Sequence, residues 1–306
     1  MTISARTVKE LRDRTGAGMM DCKRALTETG GDIDAAIAYL REKGLAGAAK
    51  KAGRVAAEGL VGVFPPTGGT SAVIVELNCE TDFVAKTDEF GKVLESIGRT
   101  LLEQGPAEGD GDSVAELEVA PGRTVSAALT EAIASIGENI ALRRFCRLEA
   151  DGGRVGGYVH AGGKIGVLVD VRGATEDDDA LVRSLAMQVA AATPRYVRRE
   201  DVPADEVARE REIYRAQAAA SGKPEKILDR IADGKLEKYY REICLLEQDY
   251  VRDPDITVAE LLERSGAEAG RTLEVVRFVR YQLGEGIERK VSNLAEEVAE
   301  QIAKGS

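Results

Sequence analysis

Apolar and polar positions along this chain change period several times, and each change marks an element. Val8 and Leu11, then Met19, Cys22, Ala25 and Leu26, then Ile33, Ile37 and Leu40 recur at helical spacing, which predicts three short helices between Ser4 and about Gly44. Ser4 and Asp32 stand where N-caps belong; Thr15-Gly16 and Gly30-Gly31 stand where helices stop. So small a unit buries little and is expected to be marginally stable alone. Met19 shares a face with Cys22, Ala25 and Leu26, whereas Met20 lies about 100° round the helix from Met19. Two placements are open: both methionines fill gaps in the core, or Met20 offers an adaptable thioether to another protein. From Leu45 to Arg54 the chain is mostly Ala, Gly and Lys, a basic linker or a thin helix at a domain boundary.

Beyond that boundary the pattern runs twice. Gly59 to Val63 and Ala72 to Leu77 read as strands flanking Pro65-Pro66-Thr67-Gly68-Gly69, and a helix from about Phe90 to Gln104 follows. Later, Val155 to His160 and Ile165 to Val171 flank Ala161-Gly162-Gly163, followed by a helix with Leu181, Val182, Leu185 and Val189. Each copy closes on a related strand, Ile140 to Phe145 in the first and Glu274 to Arg280 in the second. The expectation is an α+β fold with a duplicated core of two three-stranded antiparallel sheets, each covered by helices. Gly105 to Gly122 reads as a loop, and Thr124 as the cap of a helix ended by Gly137.

The second copy carries an insertion. Pro203 to about Ala220 and Pro224 to about Ile243 are charged with a thin apolar stripe, split by Ser221-Gly222-Lys223. Two helices of about 18 residues, about 27 Å each, would stand out as an antiparallel coiled coil, with Pro224 at the first position of the second. After Gly284-Glu285-Gly286, a last helix is expected with Val291, Leu294, Val298 and Ile302 on one side.

One stretch fits none of these periods. Asn78-Cys79-Glu80-Thr81-Asp82-Phe83-Val84-Ala85-Lys86 lies between a buried strand and an amphipathic helix. Thr81 suits an N-cap, and Asp82 suits a first helical turn, where negative charge complements the dipole. Neither fact places Phe83. It either tucks under the helix as core or stands on a rigid corner as an anchor for a partner.

Composition narrows the chemistry. At 306 residues about two domains are expected, and the net charge of -11 argues against binding nucleic acid by bulk charge. Cys22, Cys79, Cys146 and Cys244 form no CxxC pair, so reduced thiols in a cytoplasm are expected rather than zinc or disulfides. No apolar run approaches the roughly 20 residues that span a bilayer, and no signal-peptide core stands at the N-terminus. Gly162-Gly163-Lys164 is not a phosphate loop, because Tyr158 takes the place of its first glycine and Ile165 that of its Ser/Thr. His160 is the single histidine; beside a carboxylate it could act as a general base, but no nucleophile motif accompanies it. The run Arg195-Tyr196-Val197-Arg198-Arg199 is best read as solvated surface. No cofactor, metal or small-molecule substrate is indicated.

Four motifs in order resemble the bacterial elongation factor Ts family, the guanine nucleotide exchange factors of elongation factor Tu. They are Val8-Lys9-Glu10-Leu11-Arg12 with Thr15 to Lys23, Glu76 to Ala85, Tyr158-Val159-His160 with Ile165 to Val169, and Leu283 to Glu288. The resemblance implies a ubiquitin-associated-like head over 1–44 and a linker over 45–54. It further implies core subdomains over 55–149 and 150–286, with the coiled-coil insertion at about 203–243, and a C-terminal helical module over 287–306. It implies that the positions matching Met19 and Met20 grip the partner's GTPase domain, and that His160 touches the partner. Thr81, Asp82, Phe83 and Val84 would intrude near the partner's magnesium ion. The partner implied is elongation factor Tu, with no nucleic acid or membrane involved and no covalent chemistry. The alternatives are an interaction scaffold that leaves nucleotide release unchanged, and an enzyme built on His160.

Overall fold

A computed structural model describes residues 3–15 and 17–288. Three helices open it: α1 (Ala5–Thr15), α2 (Met19–Glu28) and α3 (Ile33–Lys51). The Ser4 hydroxyl accepts from Thr7 N, and Asp32 accepts from Asp34 N and Ala35 N at 2.9 Å. Gly30 and Gly31, both at positive φ, break the chain between α2 and α3. Val8, Leu11, Cys22, Ala25, Leu26 and Ala36 form the head's small core. Of the two readings of residues 45–54, the thin helix holds as far as Lys51: α3 runs on without a break, lays Gly44 against Thr130 and Ala134, and donates from Lys51 to Ile133 O.

The first copy contains β1 (Glu58–Phe64), β2 (Ser71–Cys79), a single helical turn α4 (Asp82–Ala85) and α5 (Asp88–Gln104). It continues through the short strands β3 (Glu108–Gly109), β4 (Glu118–Ala120) and β5 (Arg123–Thr124) to α6 (Val125–Ile136) and β6 (Ile140–Glu149). The second copy contains β7 (Gly153–His160), β8 (Ile165–Arg172) and α7 (Asp179–Ala192). After the arm, α8 (Ala204–Ala220) and α9 (Leu228–Ile243), come β9 (Asp249–Tyr250), β10 (Asp253–Thr257), α10 (Val258–Ala269) and β11 (Glu274–Gln282).

The fold is α+β with antiparallel sheets, and the repeat has the same strand order in each half, hairpin first and closing strand against the hairpin's second strand. One expectation is corrected: the first sheet has four strands, β1-β2-β6-β3, because Glu108 and Gly109 of the expected loop pair with Cys146 and Phe145. The repeat also extends further than the strands. α6 and α10 are both 12 residues long, both capped by threonine (Thr124, Thr257) and both ended by a left-handed glycine (Gly137, Gly270).

The sheets stack face to face. Val61, Val63, Ile74 and Leu148 of one meet Val155 and Leu168 of the other. A Cβ on Gly157 or Gly166 would come within 2.4 Å of Val63 or Val61, so glycine lets the sheets approach. Phe90, Leu94, Ile97 and Leu101 of α5 cover the outer face of the first sheet, and Val182, Leu185 and Val189 of α7 cover that of the second. Being covered on both faces, β2 is an almost unbroken apolar run. Its buried polar residues are Asn78, which donates to Glu58 O, and Glu76, wholly buried and bonded to Arg143, Arg144 and Gly284 N.

The arm is antiparallel, since Glu206 bonds Tyr239, Arg211 bonds Asp233 and Arg215 pairs with Asp229, in opposite chain order. Pro224 does not open α9 directly. It precedes a 3-10 turn, Glu225–Ile227, and the α-helix begins at Leu228. The expected last helix, with Val291, Leu294, Val298 and Ile302, lies outside the described residues.

Candidate functional site

A four-residue helix has no stability of its own, so α4 must be held by its surroundings. Thr81 leaves β2 in an extended conformation (φ -126, ψ 152), and its hydroxyl accepts from Val84 N at 3.4 Å. Thr87 closes the turn by donating to Val84 O at 2.8 Å and starts α5 by accepting from Phe90 N. Ala85 is buried and Val84 packs against the α5 core. With that side of a single turn facing inward, the ring of Phe83 points out and is 79% exposed. Of the two placements open to Phe83, the exposed one is observed and the core one is not.

The base of the corner is clasped from across the sheet. Glu138 accepts from Glu80 N and Thr81 N at 3.0 Å with one oxygen and from the Thr81 hydroxyl at 2.6 Å with the other. In return Glu80 accepts from Asn139 N at 2.6 Å and pairs with Arg54, and Asn139 donates to Arg54 O. Cys79 donates to Thr81 O; burial, helped by the nearby Glu138, pushes its thiol up to about 12, so it stays neutral. Asp82 is exposed beside Lys86, whose ammonium lies 2.6 Å away, and that bond holds its carboxyl below the usual carboxylate range, with smaller help from Lys164.

A groove lined by Leu60, Lys86, Lys92 and Gly162 joins the corner to the β7–β8 turn, where Lys164 donates to Glu58 at 2.7 Å. Gly163 O accepts from Val61 N, so the turn is fixed to the first sheet. His160 stands exposed beside this turn, with Nδ1 3.0 Å from the Tyr158 hydroxyl. The structure thus brings Thr81 to Val84 and the His160 hairpin to one side of the molecule. Met19 and Met20 stand apart from it, on α2 of the head. Both are exposed, at 47% and 67%. Met19 was expected on the packed face, but the small head core closes over Cys22, Ala25 and Leu26 without it.

The family profile described as Elongation factor TS matches residues 80–285, from the corner to the turn after β11. The chain belongs to the elongation factor Ts family. Among curated relatives of that name, one from Clostridium botulinum (strain Alaska E43 / Type E3) is 48% identical over 311 positions, covering 99% of this chain and 100% of the relative. One from Halothermothrix orenii is 49% identical over 310 positions, at 99% and 100% coverage. One from Trichlorobacter lovleyi is 46% identical over 310 positions, at 98% of each. Elongation factor Ts relatives therefore align with the head as well as the core, and the protein belongs among translation elongation factors. No helix among the described residues is long and apolar enough to cross a membrane.

The residue of this site that sequence reasoning missed is Glu138. A carboxylate after a helix-ending glycine looks like ordinary surface. The signal lies in the repeat: each half puts a charged residue directly after the glycine that ends the helix before its closing strand, Glu138 after Gly137 and Arg271 after Gly270.

Proposed function

We propose that the protein is a guanine nucleotide exchange factor that binds GDP-loaded elongation factor Tu and speeds GDP release during translation elongation. The observation that carries this reading is Phe83, exposed on a corner fixed by three hydrogen bonds to Glu138, two from backbone amides and one from the Thr81 hydroxyl. A GTPase that holds nucleotide at nanomolar Kd has about 12 kcal/mol to lose before release. Much of that binding runs through the magnesium ion bridging the phosphates, a large local charge. A ring and an ionised carboxylate pressed into the elements that support the ion weaken it without any bond being made or broken. Thr81, Asp82, Phe83 and Val84 are the residues assigned to that step. A flexible segment would yield on contact, whereas a pinned one transmits the binding energy.

Met19 and Met20, on a ubiquitin-associated-like head, would grip the partner's GTPase domain, and His160 would contact the partner beside the wedge. The arm is then a coiled-coil insertion in the second subdomain. No nucleic acid, membrane or small-molecule substrate takes part, and the setting is the cytoplasm. Coupling is reciprocal: by whatever ratio this protein weakens nucleotide binding, nucleotide weakens binding of this protein. Release of labelled GDP from purified elongation factor Tu, with and without this chain, tests the reading. Faster release supports it. A stable complex with an unchanged rate would make the protein a scaffold instead.

A further inference from the structure

Where a wedge works by position, the group that fixes its base matters as much as its tip. Glu138 is that group for the Phe83 corner. Its carboxylate takes all three donors at the exit of β2, Glu80 N, Thr81 N and the Thr81 hydroxyl, each within 3.0 Å. These are charge-assisted bonds, roughly twice as strong as neutral ones. They also complete the cap: Thr81 donates its hydroxyl hydrogen to Glu138, which leaves the oxygen free to accept from Val84 N.

A second, independent observation comes from the other half of the repeat. There the corner after β8 begins at Thr175, which caps a short turn with Asp178. Arg271, in the place equivalent to Glu138, donates to the Thr175 hydroxyl at 3.2 Å and pairs with Asp178. The same structural position latches the same corner in both halves, with a cation in one and a carboxylate in the other. Residues 173–178 carry no aromatic ring. The duplicated latch therefore serves a bare turn in the second half and a projecting ring in the first.

The clasp also reaches the head. Glu80, held against Asn139, pairs with Arg54, and Asn139 bonds Arg54 O and Ala52 O, just past the end of α3. One cluster thus ties together the exit of the head, the end of α6 and the base of the corner.

We propose that Glu138 is a positioning residue for exchange: it acts through Phe83, setting the ring's direction relative to the head rather than touching the partner. This rests on the exchange reading above. The test compares Glu138→Ala, Glu138→Gln, Phe83→Ala and the Phe83→Ala/Glu138→Ala double variant in GDP release from elongation factor Tu over a range of factor concentrations. Amide hydrogen exchange is measured across residues 80–85 of each free protein. Glu138→Ala is expected to lower the release rate at saturation about tenfold, the loss of a charge-assisted bond, with Glu138→Gln in between because it keeps one acceptor. The half-saturating concentration should stay near wild type, and amides 80–85 should exchange faster in both Glu138 variants. In the Phe83→Ala background the Glu138 effect should vanish, a non-additivity that general destabilisation would not produce. The proposal is overturned if amides 80–85 exchange as in wild type, or if the Glu138 loss persists in full without the Phe83 ring. If wild-type protein does not accelerate release at all, the exchange reading falls, while the hydrogen-exchange arm still decides whether Glu138 holds the corner.

Discussion

The Lys86 ammonium lies 2.6 Å from the Asp82 carboxylate and 6.0 Å from the centre of the Phe83 ring, so the tip of the corner carries a ring flanked by an ion pair. The pair is exposed and adds little to stability, but it fixes the charge on Asp82. The hydrogen bond from Lys86 lowers the carboxyl's pKa. With the folded value below the unfolded one, about 3.9, the pair's contribution is present above that value. It is lost as pH falls through the lower folded value. Lys86→Ala should therefore raise the Asp82 titration towards an ordinary aspartate, followed by carbon-detected NMR, and leave the thermal midpoint unchanged. A titration identical to wild type would mean that the salt bridge does not form in solution.

Glu76 predicts the opposite kind of result. It is wholly buried, with Arg143 and Arg144 at 2.9 and 2.6 Å and Gly284 N at 2.8 Å, joining the first sheet to the end of β11. Removing Glu76 takes away three charge-assisted bonds, but Arg143 and Arg144 are each over a quarter exposed and keep bonds to Glu285, so the cost is about 1–3 kcal/mol. Glu76→Ala should lose about that much in urea unfolding, and Glu76→Gln less. A loss under about 1 kcal/mol would show that water reaches the two arginines freely.

The head gives a separable test. Met20 is 67% exposed and absent from the head core, so Met20→Asp should leave helicity and the unfolding midpoint intact. Placed against a partner, the new charge would have to be desolvated, weakening the complex about tenfold or more in titration calorimetry. Wild-type affinity would remove Met20 from the interface.

Most of the fold was legible because its signals are local. Ser4, Asp32, Thr81 and Thr124 cap where their positions in the sequence suggest, and the continuous apolar run of β2 reflects burial on both faces. Periodicity puts Met19 on the packed face because it gives a face but not how far a small core extends over it. The β3 edge leaves no trace in the sequence because two residues carry no periodicity. Phe83 was undecided for a related reason: Thr81 and Asp82 announce a helix start, but which side of one turn faces out depends on Ala85, Val84 and the clasp from Glu138, 57 residues on from Thr81. Such long-range contacts leave no pattern in a window of ten residues. The repeat was visible in its strands, while the helices before its closing strands, α6 and α10, stand apart from that pattern until their matching caps are compared.

The central claim is that an exposed ring on a fixed corner drives nucleotide release. Stopped-flow release of labelled GDP from elongation factor Tu, with Phe83→Ala at saturating concentration, tests it most directly. The account predicts a rate at least about tenfold below wild type, 1.4 kcal/mol or more in barrier, with the half-saturating concentration little changed. A saturating rate equal to wild type would contradict it.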